Sequence, residues 1–347
     1  MWLWCTIVSF LFLGMRYHSS MNNPIVFVAV DKEDASSVSD RFPDAVIHEG
    51  VPEGEQLVSA CKGAEVVSGF VYTKFTADVL NQLPDLKLLC TRSVGFNHID
   101  LEACAKNGVT VCNVPDYGSH VIAEHVFALL LSTIRHIPEG DARVESGMFD
   151  YHGLRGITLR NKTIGIIGTG KIGRKVAQIA HGFGMKILAV DRCRAPEMED
   201  LLGVNYTEMD DLIANSDIIT LHIPSLEETY HMIDKKAIKT MKDGVILINT
   251  ARGELIDSDA ILEALQSGKM KYALLDVLEH ERNFEENKDL IAEPNAVTTP
   301  HIAFYAEESM NNMYDDCFTS IDQFLKGDQP EHVVKVDKIV CDMKGVK

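Results

Sequence analysis

The sequence predicts an α/β protein in which a doubly wound parallel-sheet domain of the Rossmann type is inserted into a flavodoxin-like α/β domain. Short apolar segments alternate with polar helical patterns along most of the 347 residues, a length typical of about two domains. A glycine-rich run at residues 168–173 separates an apolar segment from a helical pattern. An amphipathic helical segment at residues 306–325 follows the last strand pattern. If this segment packs on the first domain, the middle of the chain is an insertion.

The first domain is expected at residues 21–118 together with residues 306–335. Its apolar segments are short and separated by polar stretches, which is typical of strands that alternate with helices. The predicted strands are 25–30, 66–71, 86–90 and 109–113, and a helix is predicted at 100–107. A longer helix with a wide apolar stripe follows at 121–137 and should be buried against a large surface.

The inserted domain is expected at residues 119–305. Six strand patterns with intervening helical patterns match a doubly wound parallel sheet. They lie at residues 163–167, 186–190, 217–222, 244–249, 272–276 and 295–298.

Both ends of the chain are expected to lie outside the two domains. Residues 2–15 are almost wholly apolar but too short to span a bilayer, and they lack the basic start and cleavage site of a secretory signal. Met21 directly precedes a clean strand pattern, so we expect residues 1–20 to be an extension or a mis-assigned start. A membrane anchor is the alternative interpretation. Residues 336–347 are expected to be a short tail.

The glycine-rich run indicates a dinucleotide site. Gly168 permits a tight turn out of the strand, Gly170 lets the backbone approach a pyrophosphate, and Gly173 allows close packing of the new helix. Asp191 ends the next strand, 18 residues after Gly173, where a carboxylate can bind ribose hydroxyls and repel a 2′-phosphate. An ordinary βα turn is the simpler alternative. We expect NAD as the cofactor.

Two arginines complicate this choice of cofactor. Arg192 and Arg194 directly follow the acidic strand end and can pair with a 2′-phosphate. We give more weight to Asp191, so NAD is favoured over NADP.

Composition argues against several classes of partner. Acidic residues outnumber basic ones by 18, which gives little electrostatic support to nucleic-acid binding. The eight cysteines include no C-x-x-C pair, so neither a disulfide framework nor a metal site is expected. We therefore expect a cytoplasmic protein that binds a small molecule and no membrane.

Three residues near predicted strand ends suit the chemistry of a redox site. Arg252 follows one strand and can bind a carboxylate with its guanidinium group, although a surface ion pair would look the same in sequence. His301 follows another strand and suits proton transfer, although a core histidine is the ordinary alternative. Glu281 can hold the His301 ring protonated by hydrogen bonding, or it is one more solvated acid.

Four motifs in order resemble those of the D-isomer-specific 2-hydroxyacid dehydrogenases. The resemblance runs from about Thr91 to Tyr305. The motifs are Gly-Thr-Gly-Lys-Ile-Gly at 168–173, Asn-Thr-Ala-Arg-Gly at 249–253, Leu-Asp-Val-Leu-Glu-His-Glu at 275–281 and Thr-Pro-His-Ile-Ala at 299–303. The resemblance implies that the first domain binds substrate and the inserted domain binds NAD.

The same resemblance assigns roles to individual residues. It implies that Arg252 binds a 2-oxo acid, that His301 is the acid and base, and that Glu281 is the partner of His301. The backbone amides of Val94 and Gly95 would hold the substrate carboxylate, with Tyr305 nearby. The cofactor residues implied are Gly168, Gly170, Lys171, Ile172, Gly173, Asp191, His222, Pro224, Thr229, Thr250, Ala251, Arg252, Asp276, His301 and Ala303.

Finer features look most like D-lactate dehydrogenases. They are Arg92 before the Ser-Val-Gly segment, Phe304-Tyr305 after the His-Ile-Ala segment, and no proline after Glu281. We therefore expect interconversion of pyruvate and D-lactate. The alternatives are hydroxypyruvate, glyoxylate or a branched 2-oxo acid as substrate, or a corepressor-like NAD-sensing protein.

A homodimer is expected as well. The resemblance implies a two-fold dimer built around the helix at 121–137. One helix with so much apolar surface should not be hidden by its own domain alone.

Overall fold

The computed structural model describes residues 24–334. The described residues before Thr91, together with His98–Thr110, form one compact unit. Thr91–Asn97 and the residues from Val111 onward form the other. The predicted extension at 1–20 and the predicted tail at 336–347 lie outside the described residues. The domain boundaries near residues 118 and 305 stay predictions.

The first sheet has five strands in the order β2-β1-β3-β4-β5, which is the flavodoxin-like order expected for this part of the chain. The strands are β1 (Ile25–Val30), β2 (Val46–Glu49), β3 (Val66–Gly69), β4 (Leu88–Thr91) and β5 (Thr110–Cys112). The helices are α1 (Ala35–Arg41), α2 (Gly54–Cys61), α3 (Ala77–Leu80) and α4 (Leu101–Lys106). Strand β2 has no predicted counterpart, because His48 and Glu49 interrupt its apolar pattern.

The second sheet has seven strands in the order β12-β11-β10-β9-β6-β7-β8. They are β6 (Thr163–Ile167), β7 (Lys186–Val190), β8 (Val204–Tyr206), β9 (Ile218–Leu221), β10 (Val245–Asn249), β11 (Met270–Leu275) and β12 (Ala296–Thr298). The order reverses between β6 and β9, and in such sheets ligands bind outside the carboxyl ends of the strands at this switch point. The prediction of six strands missed β8, because three residues with asparagine in the middle give no apolar run.

The helices of the second unit are α5 (Ser119–Ile134), α6 (Ile137–Glu145), α7 (Lys171–Gly182), α8 (Pro196–Leu202), α9 (Met209–Asn215), α10 (Lys235–Thr240), α11 (Ser258–Gln266), α12 (Phe284–Ile291) and α13 (Glu307–Leu325). Two apolar clusters form its core. One contains residues of α5, α7 and the strands β6 and β7. The other contains residues of β9, β10, β11 and α11.

The predicted helix at 121–137 is wrong at its end. It stops at Ile134, and α6 continues after a bend of 56°. The reason is local: His136 adopts a left-handed conformation with φ of 53°, and Pro138 then starts the new helix.

The argument that α5 cannot be covered by its own domain is also wrong. Its apolar residues Ala123, Val126, Leu129, Leu130 and Ile134 are buried in the same core as residues of α7. Only Ile137 of the predicted stripe is well exposed, and it belongs to α6. The covering surface is therefore the sheet and the helix that follows the glycine-rich turn.

Across residues 24–334, no helix is by itself long and apolar enough to cross a membrane, and only the bent pair α5 and α6 has that length and composition when taken together. In the same residues, no cluster of histidine, cysteine or acidic side chains is arranged to hold a metal ion. The cysteines at positions 61, 90, 104, 112 and 317 are buried thiols.

Candidate active site

In the turn between β6 and α7, two glycines pack against backbone atoms and a third faces free space. Gly168 has φ of +96°, and a Cβ there would lie 2.5 Å from the backbone O of His222. A Cβ at Gly173 would overlap the backbone O of Gly168. At Gly170, in contrast, no atom lies within 4 Å of a Cβ. The first two glycines are required for packing, and the third leaves free space before the start of the helix, which fits a pyrophosphate.

Asp191 lies directly after β7 and is tied to this turn. One carboxylate oxygen, Oδ2, accepts hydrogen bonds from the backbone N–H and the hydroxyl of Thr169. The other, Oδ1, accepts from the backbone N–H of Cys193 at 2.7 Å. The Thr169 hydroxyl also accepts from the Tyr206 hydroxyl at 2.9 Å. A carboxylate oxygen can accept two hydrogen bonds and Oδ1 accepts one from the protein, so Asp191 retains capacity for a ribose hydroxyl.

The two arginines after Asp191 are engaged by other groups of the protein. Arg192 forms an ion pair with Glu228. The guanidinium carbon of Arg194 lies 5.8 Å from the ring centre of Tyr206. These contacts reduce the ability of either cation to serve a 2′-phosphate, so the local charge next to the turn is set by Asp191.

Residues 222–229 form a second turn after β9. The backbone N–H of His222 donates to Ile167 at 2.7 Å, and its ring Nε2 lies 2.9 Å from the Thr220 hydroxyl. Burial lowers the pKa of His222 to about 3, so the ring is neutral at physiological pH. The Thr229 hydroxyl donates to the backbone O of Pro224 at 2.9 Å and so closes the turn.

Arg252 follows β10 in a tightly bonded loop. Asn249 accepts from the backbone N–H of Ala251 at 3.0 Å and donates to the backbone O of Arg252 at 2.8 Å. The Arg252 side chain donates through Nη1 to the backbone O of Ala251 at 2.6 Å. Its Nη2 lies so close to Gly95 that a Cβ there would overlap it. The guanidinium group is thus held against the loop at residues 91–97.

Hydrogen bonds to two of its carbonyl groups hold that loop. The Ser93 hydroxyl donates to the backbone O of Gly95 at 2.6 Å, and the Asn113 side chain donates to the backbone O of Val94 at 2.8 Å. Within residues 24–334, the N–H groups of Val94 and Gly95 have no hydrogen-bond acceptor. Two free N–H donors and one guanidinium group therefore lie together, which suits a carboxylate.

His301 and Glu281 lie together as predicted. The ring Nδ1 of His301 lies 3.1 Å from Glu281 Oε2. His301 also has φ of +55°, a conformation that costs a non-glycine residue about 1–3 kcal/mol. The surrounding hydrogen bonds must therefore hold this backbone in place.

Asp276 supplies those hydrogen bonds. It is 1% exposed, and its carboxylate accepts from the backbone N–H groups of Ile302 and Ala303, each at 2.9 Å, and from the Thr299 hydroxyl at 2.6 Å. Its backbone O accepts from the N–H of His301 at 2.8 Å. Burial raises the pKa of Asp276, but the hydrogen bonds, including one from His125, outweigh that effect and hold it below its usual value.

Aromatic rings pack in series beside His301. The ring of His301 meets that of Phe304 edge-on at 6.1 Å, and Phe304 meets Tyr117 at 6.2 Å. Burial raises the pKa of Tyr117 to about 12, and the charge of Arg252 acts in the opposite direction. Tyr117 is therefore a protonated phenol at physiological pH.

The remaining predicted residues are placed as follows. Lys171 is mostly exposed and pairs with Asp116 at 3.2 Å, while Ile172 packs against the first core. Thr250 and Ala303 are buried. Tyr305 is about half exposed, and its ring lies 5.9 Å from that of Phe304.

Sequence reasoning missed Tyr117, Thr169 and the central role of Asp276. Tyr117 lies in the chain between β5 and α5 and carries no motif of its own. Thr169 lies inside the glycine motif, which predicts roles for the glycines and none for the residue between them. Asp276 ends a buried strand, which is a detectable signal, but its partners Ile302 and Ala303 are known only from the fold.

Comparisons with known proteins find relatives of one family. Residues 127–303 match the family described as D-isomer specific 2-hydroxyacid dehydrogenase, NAD binding domain. The chain is 38% identical to a glyoxylate reductase of Thermococcus litoralis, over 85% of this chain and 88% of that protein. It is 39% identical to an aromatic 2-oxoacid reductase of Clostridium sporogenes, over 79% and 87%.

A solved structure is similar along most of its length. The D-lactate dehydrogenase of Aquifex aeolicus, complexed with NAD and lactic acid, has a TM-score of 0.81 to this chain. It is 36% identical in sequence, and the match covers 88% of this chain and 96% of that one.

Substitution of Gly170 tests the open side of the turn. Gly170→Ala should leave thermal stability nearly unchanged, because no atom of the protein lies within 4 Å of the added methyl group. It should weaken NADH binding by roughly tenfold or more, or about 1.4 kcal/mol, because the methyl group fills space expected for the pyrophosphate. Titration of NADH fluorescence measures this change.

The matched control is Gly182→Ala, at the far end of the same helix, where a Cβ also meets no atom within 4 Å. It should leave NADH binding unchanged. Equal NADH affinity of the Gly170→Ala variant and the parent would contradict the placement of the cofactor.

Proposed function

The chain belongs to the D-isomer-specific 2-hydroxyacid dehydrogenases, which are NAD-dependent oxidoreductases of small 2-oxo and 2-hydroxy acids, and on this premise we propose that it interconverts pyruvate and D-lactate. The observation that carries this proposal is the edge-on pair of rings formed by Phe304 and Tyr117 beside His301. Rings beside the proposed proton-transfer residue would restrict the room for a substrate side chain. A methyl group suits such a restricted space better than a long or aromatic substituent does.

The substrate carboxylate would bind at Arg252 and the loop at residues 91–97. Arg252 supplies a guanidinium charge, and Val94 and Gly95 supply two free N–H donors. Charge-assisted hydrogen bonds of this kind are strong and directional. Since the chain as a whole is acidic, this local positive group is needed to hold an anion.

His301 would transfer the proton. Its Nδ1 faces Glu281, so Nε2 is the nitrogen that can donate to the carbonyl oxygen of a 2-oxo acid. The Glu281 carboxylate stabilises the protonated ring, and Arg252 stabilises the negative charge that develops on the oxygen. In the direction of oxidation, His301 accepts the proton instead.

The cofactor would be held by the turns after β6, β7, β9 and β10. When bound, NADH supplies the hydride that reduces the carbonyl carbon. The glycine turn and the first residues of α7 would hold the pyrophosphate, and Asp191 would bind the adenosine ribose. Thr229, Pro224 and Ala251 would line the other side of the cofactor, with Asp276 near the nicotinamide.

Glyoxylate is the second candidate substrate. It is smaller than pyruvate by the methyl group and therefore fits the same restricted space. The relative from Thermococcus litoralis is a glyoxylate reductase. A pocket discriminates poorly on one methyl group, which is worth only about 1–3 kcal/mol.

A substrate panel tests the proposed activity. We expect kcat/KM to be highest for pyruvate among pyruvate, glyoxylate, hydroxypyruvate, a branched 2-oxo acid and phenylpyruvate, measured with NADH by absorbance at saturating cofactor. The panel repeated with NADPH is the cofactor control. Because Asp191 repels a 2′-phosphate, NADH should be preferred by at least about tenfold, or 1.4 kcal/mol. A highest value for phenylpyruvate would show that the ring pair does not restrict the substrate.

Substitution of the acid–base pair tests the mechanism. His301→Gln should lower kcat by about two to four orders of magnitude and leave NADH affinity nearly unchanged, because only proton transfer is lost.

Glu281→Gln should move the loss of activity at high pH to a lower pH, because the protonated ring loses its stabilising charge. The measurement is kcat against pH. If the profiles of kcat against pH coincide for the parent and the Glu281→Gln variant, the functional pairing of Glu281 with His301 is excluded.

A homodimer is proposed on a different surface from the one expected. Five large apolar side chains, each more than half exposed, lie along α6 and the loop that follows it: Ile137, Val144, Met148, Phe149 and Tyr151. A cluster of this kind is unusual on a monomer and marks an interaction surface. A second copy of the chain would cover it.

The paired substitution Met148→Asp and Phe149→Asp should therefore produce a monomer in sedimentation velocity, whereas the parent sediments near twice the monomer mass. Phe149 is 96% exposed, so the change should not disturb the fold. The matched control is Phe284→Asp on α12, because Phe284 is 64% exposed and lies outside this surface. The Phe284→Asp variant should remain dimeric. A parent protein that sediments as a monomer would refute the proposal.

A further inference from the structure

His231 and Glu279 form a second histidine–carboxylate pair, separate from His301 and Glu281. The ring Nε2 of His231 lies 2.6 Å from Glu279 Oε1. The other carboxylate oxygen, Oε2, accepts from the backbone N–H of Ser258 at 3.0 Å. Burial raises the pKa of Glu279, but the hydrogen bonds from His231 and Ser258 outweigh it and lower the pKa below its usual value. Glu279 is therefore a carboxylate, and Nε2 of His231 carries the proton.

Glu279 anchors the loop that carries Glu281. It lies two residues before Glu281, in the segment that follows β11. Its backbone O accepts from the side chain of Asn287, a buried residue of α12, at 2.7 Å. The loop is thus held at Glu279 by its side chain and its backbone together, and Glu281 projects from an anchored segment.

The same segment supports the backbone next to Arg252. A Cβ at Gly253 would overlap the carbonyl group of Leu278 and the backbone N of Glu279. The two loops therefore touch backbone to backbone. A shift of Leu278 and Glu279 would move Gly253, and with it the residue before it.

His231 ends the turn that contains Pro224 and Thr229. Its backbone N–H donates to Glu254 at 2.8 Å, its φ is +49°, and its ring stacks on Tyr230 with ring centres 3.9 Å apart. A non-glycine residue in this conformation needs support from its surroundings. The bond to Glu279 supplies that support and joins this turn to the loop of Glu281.

We propose that His231 is a positioning residue that acts through Glu279 to hold Glu281 in place beside His301. The proposal rests on the proposed acid–base function of His301 and Glu281. His231 itself does not touch the reacting atoms. Its ionisable neighbours are Glu279 through the carboxylate, Tyr230 through the stacked ring, and Glu254 through the backbone.

The experiment compares two substitutions at His231. His231→Phe keeps the ring stacked on Tyr230 but removes the donor to Glu279. His231→Gln keeps an N–H donor at a similar distance from the backbone and serves as the conservative variant. For both, kcat and KM are measured against pH with NADH and the 2-oxo acid that the panel ranks first, and thermal stability is measured in parallel.

We expect His231→Phe to lower kcat by roughly ten- to a hundredfold, because a misplacement of about 1 Å can cost about a hundredfold. The high-pH loss of activity should move to lower pH, in the same direction as for Glu281→Gln. His231→Gln should restore most of kcat and the profile of the parent. In the double variant of His231→Phe and Glu281→Gln, the pH profile should match that of Glu281→Gln alone, since both changes act on one pair.

The outcomes separate the two proposals. If Glu281→Gln shifts the profile and His231→Phe does not, the positioning role is refuted and the acid–base assignment stands. If Glu281→Gln itself leaves the profile unmoved, the pairing with His301 fails and this inference fails with it. A His231→Phe variant that loses thermal stability but keeps the pH profile would show a purely structural role, as would additive effects in the double variant.

Discussion

The buried carboxylate of Asp276 is the constraint on which the site depends. A buried charge is costly unless hydrogen bonds satisfy it, and Asp276 receives them from Thr299, Ile302 and Ala303. All three lie around His301, whose own N–H binds the backbone O of Asp276. The carboxylate therefore stabilises an otherwise unfavourable backbone conformation. The same bonds that satisfy the buried charge place the imidazole at the end of β12.

Close approach of loops at the carboxyl ends of the strands brings the other groups to the same place. Gly95 accommodates the Arg252 guanidinium group, Gly253 accommodates Leu278, and Gly168 accommodates the backbone of His222. Each contact would be blocked by a single Cβ atom. The absence of three side chains thus allows close contact between segments that are separated in the chain by 25 residues, for Gly253 and Leu278, to 157 residues, for Gly95 and Arg252.

Because the chain is acidic, the binding of an anion would depend on local positive groups and not on the charge of the whole protein. With 18 more acidic than basic residues, the protein as a whole repels an anionic substrate. In the proposed function, Arg252 and two backbone N–H groups would provide attraction over a few ångströms, where solvent screening is weakest. At the other turn, Glu228 and the ring of Tyr206 engage Arg192 and Arg194, so Asp191 sets the charge there.

The sequence alone was enough to predict the fold class, the glycine turn and the contact of His301 with Glu281. Strands such as Thr163–Ile167 are local apolar runs, and the glycine turn is read directly from its spacing, so both are visible without a fold. Only the tertiary structure shows which packing contacts and hydrogen bonds hold these residues in place. The end of α5 depends on a left-handed histidine, and the burial of that helix depends on packing against α7. The contacts of Tyr117, Asp276 and His231 are made with partners distant in the chain. Such partners are chosen by packing and hydrogen bonding in space, for which neighbouring residues in a sequence give no signal.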